Sequence, residues 1–185
     1  PLIGSSILLA CGTMFPRMAL VAGVIAPALW GPVAVPAAVM AVMVYVPALW
    51  TLRRQAGHEY QPPAMLRNPL QLGSAVRFGL LLGAVMLLAE ALKQTVGEAG
   101  LFVLATASGI TDVDAITLSL ADMARQDVAL LVAMMGITIA GAVNNVTKAA
   151  LATFIGGADL GRRVGVPLVL AAVAGLAVAG WLYLG

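Results

Sequence analysis

Long stretches without any charged side chain constrain the fold of this chain more than any other feature. No Asp, Glu, Lys or Arg occurs from Met18 to Leu52, from Val128 to Thr147 or from Val164 to Gly185. Only 10% of all residues are charged, whereas a soluble domain carries about 25%. So few charges cannot cover a water-facing surface, and apolar runs of about 18 residues or more are typical of membrane-spanning helices. The sequence therefore predicts an all-α, polytopic transmembrane helix bundle.

Apolar segments of suitable length divide the chain into about six predicted spans within a single transmembrane domain, residues 1–185. Each is close to the roughly 20 residues that cross about 30 Å of hydrocarbon. The predicted spans are Leu2–Ala28, Val33–Leu52, Leu70–Leu92, Gly100–Met123, Val128–Ile155 and Val164–Leu184. Because the sequence opens at Pro1, already at the edge of a helix, we expect it to be the C-terminal part of a longer chain.

The one clearly polar segment, residues 53–69, is predicted to be a cytoplasmic loop because it holds the densest group of Arg residues outside the spans. The only histidine, His58, lies in this loop, and the only cysteine, Cys11, lies in an apolar run. Neither has the companions of a metal site or an activated nucleophile. We therefore expect no enzymatic activity, no cofactor and no nucleic-acid partner, with the lipid bilayer as the main environment.

A weak internal repeat relates the first two predicted spans to the last two. A gap-free alignment places Arg17 on Lys148 and Val35–Pro36 on Val166–Pro167. Internal repeats are common in secondary transporters. In this alignment the counterpart of the fourth span would precede Pro1, which again predicts missing N-terminal membrane helices of the same protein.

The repeat leaves two topologies open. If the fourth span crosses the membrane fully, the repeats run parallel and Arg162–Arg163 lie outside. If it is re-entrant, the repeats are inverted and these arginines lie inside, in agreement with the positive-inside rule. The length of the fourth span favours full crossing, and we expect that form.

Polar side chains in the fourth span form the sharpest motif. A charge at mid-membrane costs at least about 2.5–3.5 kcal/mol, so such a residue faces protein or water. On a continuous helix Asp112 and Asp114 would lie about 200° apart, and we expect Gly109 to break the helix so that they converge. Paired carboxylates with hydroxyl groups suit a hard cation or a proton relay. The candidate residues here are Ser108, Thr111, Asp112, Asp114 and Thr117.

Two further polar groups lie inside predicted spans. In the fifth span, Asn144 and Lys148 share a helix face with Asn145 close by. In the first span, Arg17 follows Pro16, which is expected to kink the helix. We add Asn144, Asn145, Lys148 and Arg17 to the candidate pathway for an ion or a substrate.

Two functions fit this cluster. In the first, the protein is a transporter or channel-like protein: Asp112 and Asp114 bind a metal cation or protons, with Arg17 and Lys148 as counter-ions or gates. In a variant, Arg17 and Lys148 bind an anionic substrate while the aspartates couple protons. In the second function, the protein is a non-transporting accessory or regulatory subunit, because the four formal charges sum to zero and can form a closed structural network.

Four segments also carry a family resemblance. Residues Ser108–Ala121 resemble the central motif of the bacterial membrane domain of unknown function number 4010. Arg67–Pro69, Gly97–Leu101 and Asn145–Lys148 are similar to further features of that family. The resemblance extends from about Ser5 to Leu184.

The resemblance implies a multi-pass protein of the bacterial inner membrane. Members typically follow an MgtC/SapB-type membrane domain and carry another helix, rich in Ser and Thr, ahead of the position of Pro1. Their association with magnesium homeostasis implies Mg²⁺ as a substrate rather than a cofactor. Homo-oligomerisation is compatible with the sequence.

Overall fold

A computed structural model describes residues 2–54 and 97–185, together with Leu80, Gly83, Leu87, Leu88 and Ala91. Within these residues every regular element is a helix. The helices are α1 (Leu2–Gly12), α2 (Met14–Ile25), a 3₁₀ turn (Pro27–Leu29), α3 (Trp30–Arg54), α4 (Glu98–Thr111), α5 (Asp114–Ala124) and α6 (Leu130–Leu184). Apart from the single residues named above, the predicted span Leu70–Leu92 lies outside the described residues, as does loop 53–69 beyond Arg54.

Three helical segments are long and apolar enough to cross a membrane: Gly4–Ile25, Pro27–Arg54 and Leu130–Leu184. The helix Glu98–Thr111 is apolar but shorter. Large apolar side chains also point outward, such as Phe154, which is 87% exposed and suits a lipid environment. The predicted all-α membrane protein is confirmed. The predicted number of six spans is not confirmed by the described helices.

Helices α1, α2 and α3 form an antiparallel pair of arms, here called the N-terminal hairpin. The chain reverses at Ala26, whose backbone is extended (φ −125°, ψ 92°). Gly23 packs against Trp30 beside this turn, and Gly12 packs against Tyr45 farther from it. Contacts in this order require the two arms to run in opposite directions.

The first arm of the N-terminal hairpin is interrupted at Thr13, between α1 and α2. Pro16 accounts for the interruption because it has no N–H to donate to the carbonyl of Gly12. The first turn of α2 consequently carries Pro16 and Arg17 next to a break in the helix.

The range of α6 consists of two helical arms that are joined at Gly157. These two arms are here called the C-terminal hairpin. Gly157 has φ 77° and ψ 174°, a conformation open essentially only to glycine, and the chain reverses there. Past this turn, Gly161 packs against Thr153 and Gly165 against Ala149. Each arm extends about 40 Å, which is enough to cross about 30 Å of hydrocarbon.

The two hairpins meet through methionine side chains that pack against glycines. A Cβ atom added to Gly141 would lie 3.0 Å from Met18 Cε, and one added to Gly175 would lie 2.5 Å from Met40 Cγ. Met18 and Met40 are fully buried. Glycine thus allows a close helix approach, and the flexible thioethers fill the remaining space.

The hairpins point in opposite directions. Gly4, at the open end of the N-terminal hairpin, packs against Leu160 and Val164, which follow the turn of the C-terminal hairpin. The turn at Ala26 therefore lies at one end of the bundle and the turn at Gly157 lies at the other.

Helix α4 enters the bundle from the end at which α6 starts and finishes. The Tyr183 hydroxyl donates a hydrogen bond to Glu98 Oε2 (3.5 Å), and the Phe102 ring packs edge-on against Tyr183. Gly109, in the last turn of α4, lies against Ala140. The helix thus runs from the end of the bundle toward its middle.

Helix α5 returns to the end from which α4 entered. Ala105 of α4 and Leu120 of α5 both lie beside Gly136 of α6, whereas a continuous helix would separate them by about 22 Å. The expected full crossing of the fourth span is therefore wrong. The chain reverses because Asp112 is extended (φ −151°, ψ 145°), which turns one predicted span into two short re-entrant helices.

We expect Gly157→Ala to lower the free energy of unfolding by about 1–3 kcal/mol, because side chains disfavour its backbone conformation. Space is not limiting, since nothing lies within 4 Å of a Cβ atom there. The control is Gly180→Ala, which is equally open but helical, where alanine is favoured. Unfolding midpoints in detergent measure both, and equal midpoints would contradict the described turn.

Candidate functional site

The junction between α4 and α5 lies near the middle of the bundle. Helix α4 ends at Thr111 and α5 begins at Asp114. The nearby Gly109 contacts Ala140, which lies about 15 Å along α6 from its start at Leu130. This distance is about half the thickness of a hydrocarbon layer of about 30 Å.

Local hydrogen bonds satisfy several backbone groups at the junction. The Asp112 N–H donates to the Ser108 carbonyl (2.8 Å), to which the Thr111 hydroxyl also donates (3.1 Å). The Asp114 N–H donates to Asp112 Oδ1 (3.3 Å). The Asp112 carboxylate therefore caps the start of α5, where the helix dipole favours negative charge.

Asn144 connects the junction to α6. Its Nδ2 donates to the Gly109 carbonyl (2.9 Å) in a buried position; in a continuous helix that carbonyl would accept from Val113. Gly109 itself remains inside α4, and a Cβ atom there would lie 2.5 Å from the Ala140 carbonyl oxygen. The expectation that Gly109 breaks the helix is therefore wrong: the break comes at Asp112, and the glycine permits a close backbone contact.

An ion pair connects the N-terminal hairpin to the junction. Arg17 Nη2 lies 2.8 Å from Asp114 Oδ2, and the two side chains are 57% and 22% exposed. This separation is typical of a strong, charge-assisted hydrogen bond. The structure thus brings together two residues that the sequence places almost a hundred positions apart.

Lys148, the counterpart of Arg17 in the repeat alignment, has a different environment. Its Nζ donates to Met14 Sδ at 3.7 Å, and its charge acts on both Asp114 and Cys11. Within residues 2–54 and 97–185, no carboxylate lies within ion-pair distance of this ammonium group. Lys148 therefore belongs to the same charge cluster as Arg17 but has only a weak acceptor as its direct contact.

Two other predicted residues carry buried polar atoms without a hydrogen-bond partner in the described part of the chain. They are Asn145, at both amide atoms, and Thr117, at its hydroxyl. Their exposures are 0% and 1%. Leaving a buried polar group unsatisfied costs about 1–3 kcal/mol, so each indicates a ligand, a water molecule or a further side chain.

The predicted metal ligands, Asp112 and Asp114, share the junction. Among the residues that the structure describes, however, no three His, Cys, Asp or Glu side chains form a metal-binding group. One oxygen of each aspartate is already engaged, by a backbone N–H and by Arg17 respectively. Metal binding at this pair stays a prediction.

Sequence reasoning missed Met14 and Cys11 as neighbours of Lys148. The sequence predicts no metal site or activated nucleophile at Cys11, which is buried. The available signal was the repeat alignment, which places Lys148 on Arg17. Arg17 in turn lies close in sequence to the helix break at Thr13. Contacts between distant helices cannot be derived from that alignment alone.

Comparison with known families places most of the chain in one family. The family described as "Domain of unknown function (DUF4010)" matches residues 1–156. The chain belongs to the DUF4010 family. The matched residues contain the α4–α5 junction together with Arg17, Asn144, Asn145 and Lys148, so the whole candidate site lies within the match.

This DUF4010 domain is also similar to an uncharacterized protein of Aquifex aeolicus, with 36% identity over 110 residues. The aligned region is 59% of this chain and 48% of that relative, so the chain matches about half of the relative's length. No solved structure matches the DUF4010 domain.

We expect Asn144→Ala in the DUF4010 domain to lower the free energy of unfolding by about 1–3 kcal/mol, because the Gly109 carbonyl loses its donor. Thr147→Ala is the matched control, since the Thr147 hydroxyl contacts only the Val143 carbonyl of its own helix (3.0 Å). Denaturant midpoints in detergent give both values. An equal loss in the two variants would argue against the link between α4 and α6.

Proposed function

We propose that this DUF4010 domain is a transporter of the bacterial inner membrane that moves protons, or another small cation, through the α4–α5 junction. The observation that carries the proposal is the Arg17–Asp114 ion pair at a helix break in the middle of the bundle. Helices broken at mid-membrane build the ion and substrate sites of many secondary transporters. Ionisable residues at that depth commonly belong to proton relays or ion pathways.

The opposed hairpins support an inverted internal repeat. The alignment that places Arg17 on Lys148 also places the turn residue Ala26 on the turn residue Gly157. Inverted repeats with a site at their interface are typical of several transporter folds. Because α3 ends at one end of the bundle and α4 begins at the other, a further crossing by the predicted span Leu70–Leu92 belongs to this proposal.

The distribution of charge supports a cytoplasmic position for the end that carries the Gly157 turn. Arginines are concentrated there, as the positive-inside rule requires of the cytoplasmic side. This orientation also makes loop 53–69 cytoplasmic. The arginines at that end are Arg53, Arg54, Arg162 and Arg163, whereas Arg125 lies at the opposite end.

The site geometry favours a proton over Mg²⁺ as the coupled cation. Mg²⁺ requires a near-octahedral set of oxygen ligands, whereas Arg17 and a backbone N–H already engage oxygens of Asp114 and Asp112. Protonation of Asp114 alone would release Arg17 and change the contact between the N-terminal hairpin and the junction. The link to magnesium and the preceding MgtC/SapB-type domain, both implied by the family resemblance, stay predictions.

A non-transporting accessory or regulatory subunit is the second candidate function. The observation that favours it is the set of satisfied polar contacts: the Arg17–Asp114 pair and the Asn144–Gly109 hydrogen bond join helices as a structural network would. The amide of Asn145, which has no partner within the described part of the chain, argues against it, because a purely structural core gains nothing from an unsatisfied polar group.

We expect Asp114→Asn to reduce proton flux about a hundredfold in proteoliposomes of the full-length protein, since an amide cannot take up and release the proton. Asp122→Asn is the matched control. Asp122 lies at the end of the bundle, where it accepts a hydrogen bond from Gln126 and lies near Arg125. The proton flux of the Asp122→Asn variant is therefore expected to remain at the wild-type level. A pH-sensitive dye inside the vesicles provides the readout.

The double variant Arg17→Met/Asp114→Leu separates the two candidate functions. Replacing both members of an ion pair by apolar residues leaves no unpaired charge behind, so the fold is expected to be preserved. The transport proposal requires that this variant folds and carries no flux. If the wild-type protein moves neither protons nor a panel of metal cations, the accessory role replaces the transport proposal.

We expect cysteines at positions 158 and 129 to react with a membrane-impermeant maleimide from opposite sides. In a Cys11→Ser background, Ala158→Cys is expected to react only after cell lysis, because it follows the turn at the arginine-rich end. Ala129→Cys, which precedes α6, is expected to react in intact spheroplasts. Labelling of both from one side would contradict the proposed orientation.

A further inference from the structure

The repeat alignment places Lys148 on Arg17, but the two residues have unequal partners. Arg17 holds the carboxylate of Asp114 at 2.8 Å. Lys148 contacts the thioether of Met14 at 3.7 Å, and no described carboxylate pairs with it. An ammonium group is strongly hydrated, and a thioether is a weak acceptor that replaces little of that hydration.

The buried amide of Asn145 lies beside this ammonium group. Asn145 and Lys148 are three residues apart on one helix, and such residues share a face. The same face carries Gly141, which packs against Met18, and Lys148, which contacts Met14. The amide is therefore directed toward α2, it is 0% exposed, and both its polar atoms lack a partner in the described part of the chain.

The side chains that face this pair can yield space to a small ligand. Met14 and Met18 are buried and unbranched, and methionine adapts its shape more readily than other apolar residues. The helix break at Thr13 lies next to Met14. Met14 can therefore change its rotamer and move its sulfur away from Lys148.

We propose that Lys148 and Asn145 form a binding site for the carboxylate of a small organic acid. The Lys148 ammonium and the Asn145 Nδ2 group are two donors on one face, and the two oxygens of a carboxylate are the matching acceptors. Asp114 already provides the equivalent carboxylate on Arg17. The inference rests on the proposed function, since it makes an organic acid the solute that moves together with the proton.

A carboxylate at this site has two sources, a solute or an acidic side chain from another segment of the protein. The repeat alignment places Met14 on Asn145, so the Arg17 side, which holds a protein carboxylate, has no equivalent amide. The additional amide at the Lys148 side favours a solute, whose affinity depends on more than one donor.

Binding of acetate, lactate and succinate to the full-length protein in detergent tests the proposal, with chloride and phosphate as comparison anions. Isothermal titration calorimetry is expected to show carboxylate binding to the wild type and to Lys148→Arg. Binding is expected to weaken at least about tenfold in Lys148→Met and in Asn145→Leu, as the loss of a buried donor predicts. Asn145→Leu keeps the side-chain volume and is expected to fold, and Thr153→Ala, outside the site, is expected to bind as the wild type does.

Three outcomes overturn the proposal. The first is the absence of carboxylate binding to a folded wild-type protein. The second is binding that Lys148→Met and Asn145→Leu leave unchanged. The third is a photo-crosslinker at position 148 that joins an acidic segment of the same protein while no carboxylate binds, which assigns the site to a side chain. Proton flux that depends on Asp114 survives all three outcomes, so failure of this inference is distinguishable from failure of the proposed function.

Discussion

Arg17 and Asp114 carry opposite charges in an apolar bundle, and the charge of each costs less because the other lies beside it. Water cannot solvate them from the hydrocarbon side, so the pair must form within the protein. Its formation fixes which face of α2 meets the first turn of α5. The neighbouring hydrogen bonds follow from the same reversal of the chain. Asp112 accepts a hydrogen bond from the first N–H of α5, and Asn144 donates one to the Gly109 carbonyl, which has no acceptor role within α4.

Hydrophobicity alone was sufficient to place the long helices. The predicted spans Leu2–Ala28 and Val33–Leu52 agree within a few residues with the apolar helical segments Gly4–Ile25 and Pro27–Arg54. The observed turn at Gly157 likewise lies in the segment between the last two predicted spans. These features are local, since a run of apolar residues and an interrupting turn are properties of adjacent positions.

The course of the chain through the fourth span was not predictable in the same way. A segment of that length fits either one crossing helix or two half-length helices, and only the contacts of Ala105 and Leu120 with Gly136 distinguish them. Gly109 illustrates a related ambiguity. A glycine in an apolar helix signals either backbone freedom or a close neighbour, and here the neighbour, Ala140, decides.

The candidate site was predictable as a set of residues but not as a set of contacts. Asp112, Asp114, Asn144, Lys148 and Arg17 are conspicuous because polar groups are costly in lipid. Their pairing depends on the relative positions of three separate helices, which a single sequence does not encode locally. The contact between Lys148 and Met14 could not be derived for this reason.

The re-entrant arrangement of α4 and α5 attaches the junction to one membrane surface only. Both ends of the pair emerge at the same end of the bundle, so residues 112–114 hang at the tip of a closed loop. If the two short helices tilt outward, residues 112–114 leave the middle of the bundle. No part of the chain has to cross the bilayer in this movement. Among the described residues, the Arg17 ion pair and the Asn144 hydrogen bond restrain this movement, together with apolar packing.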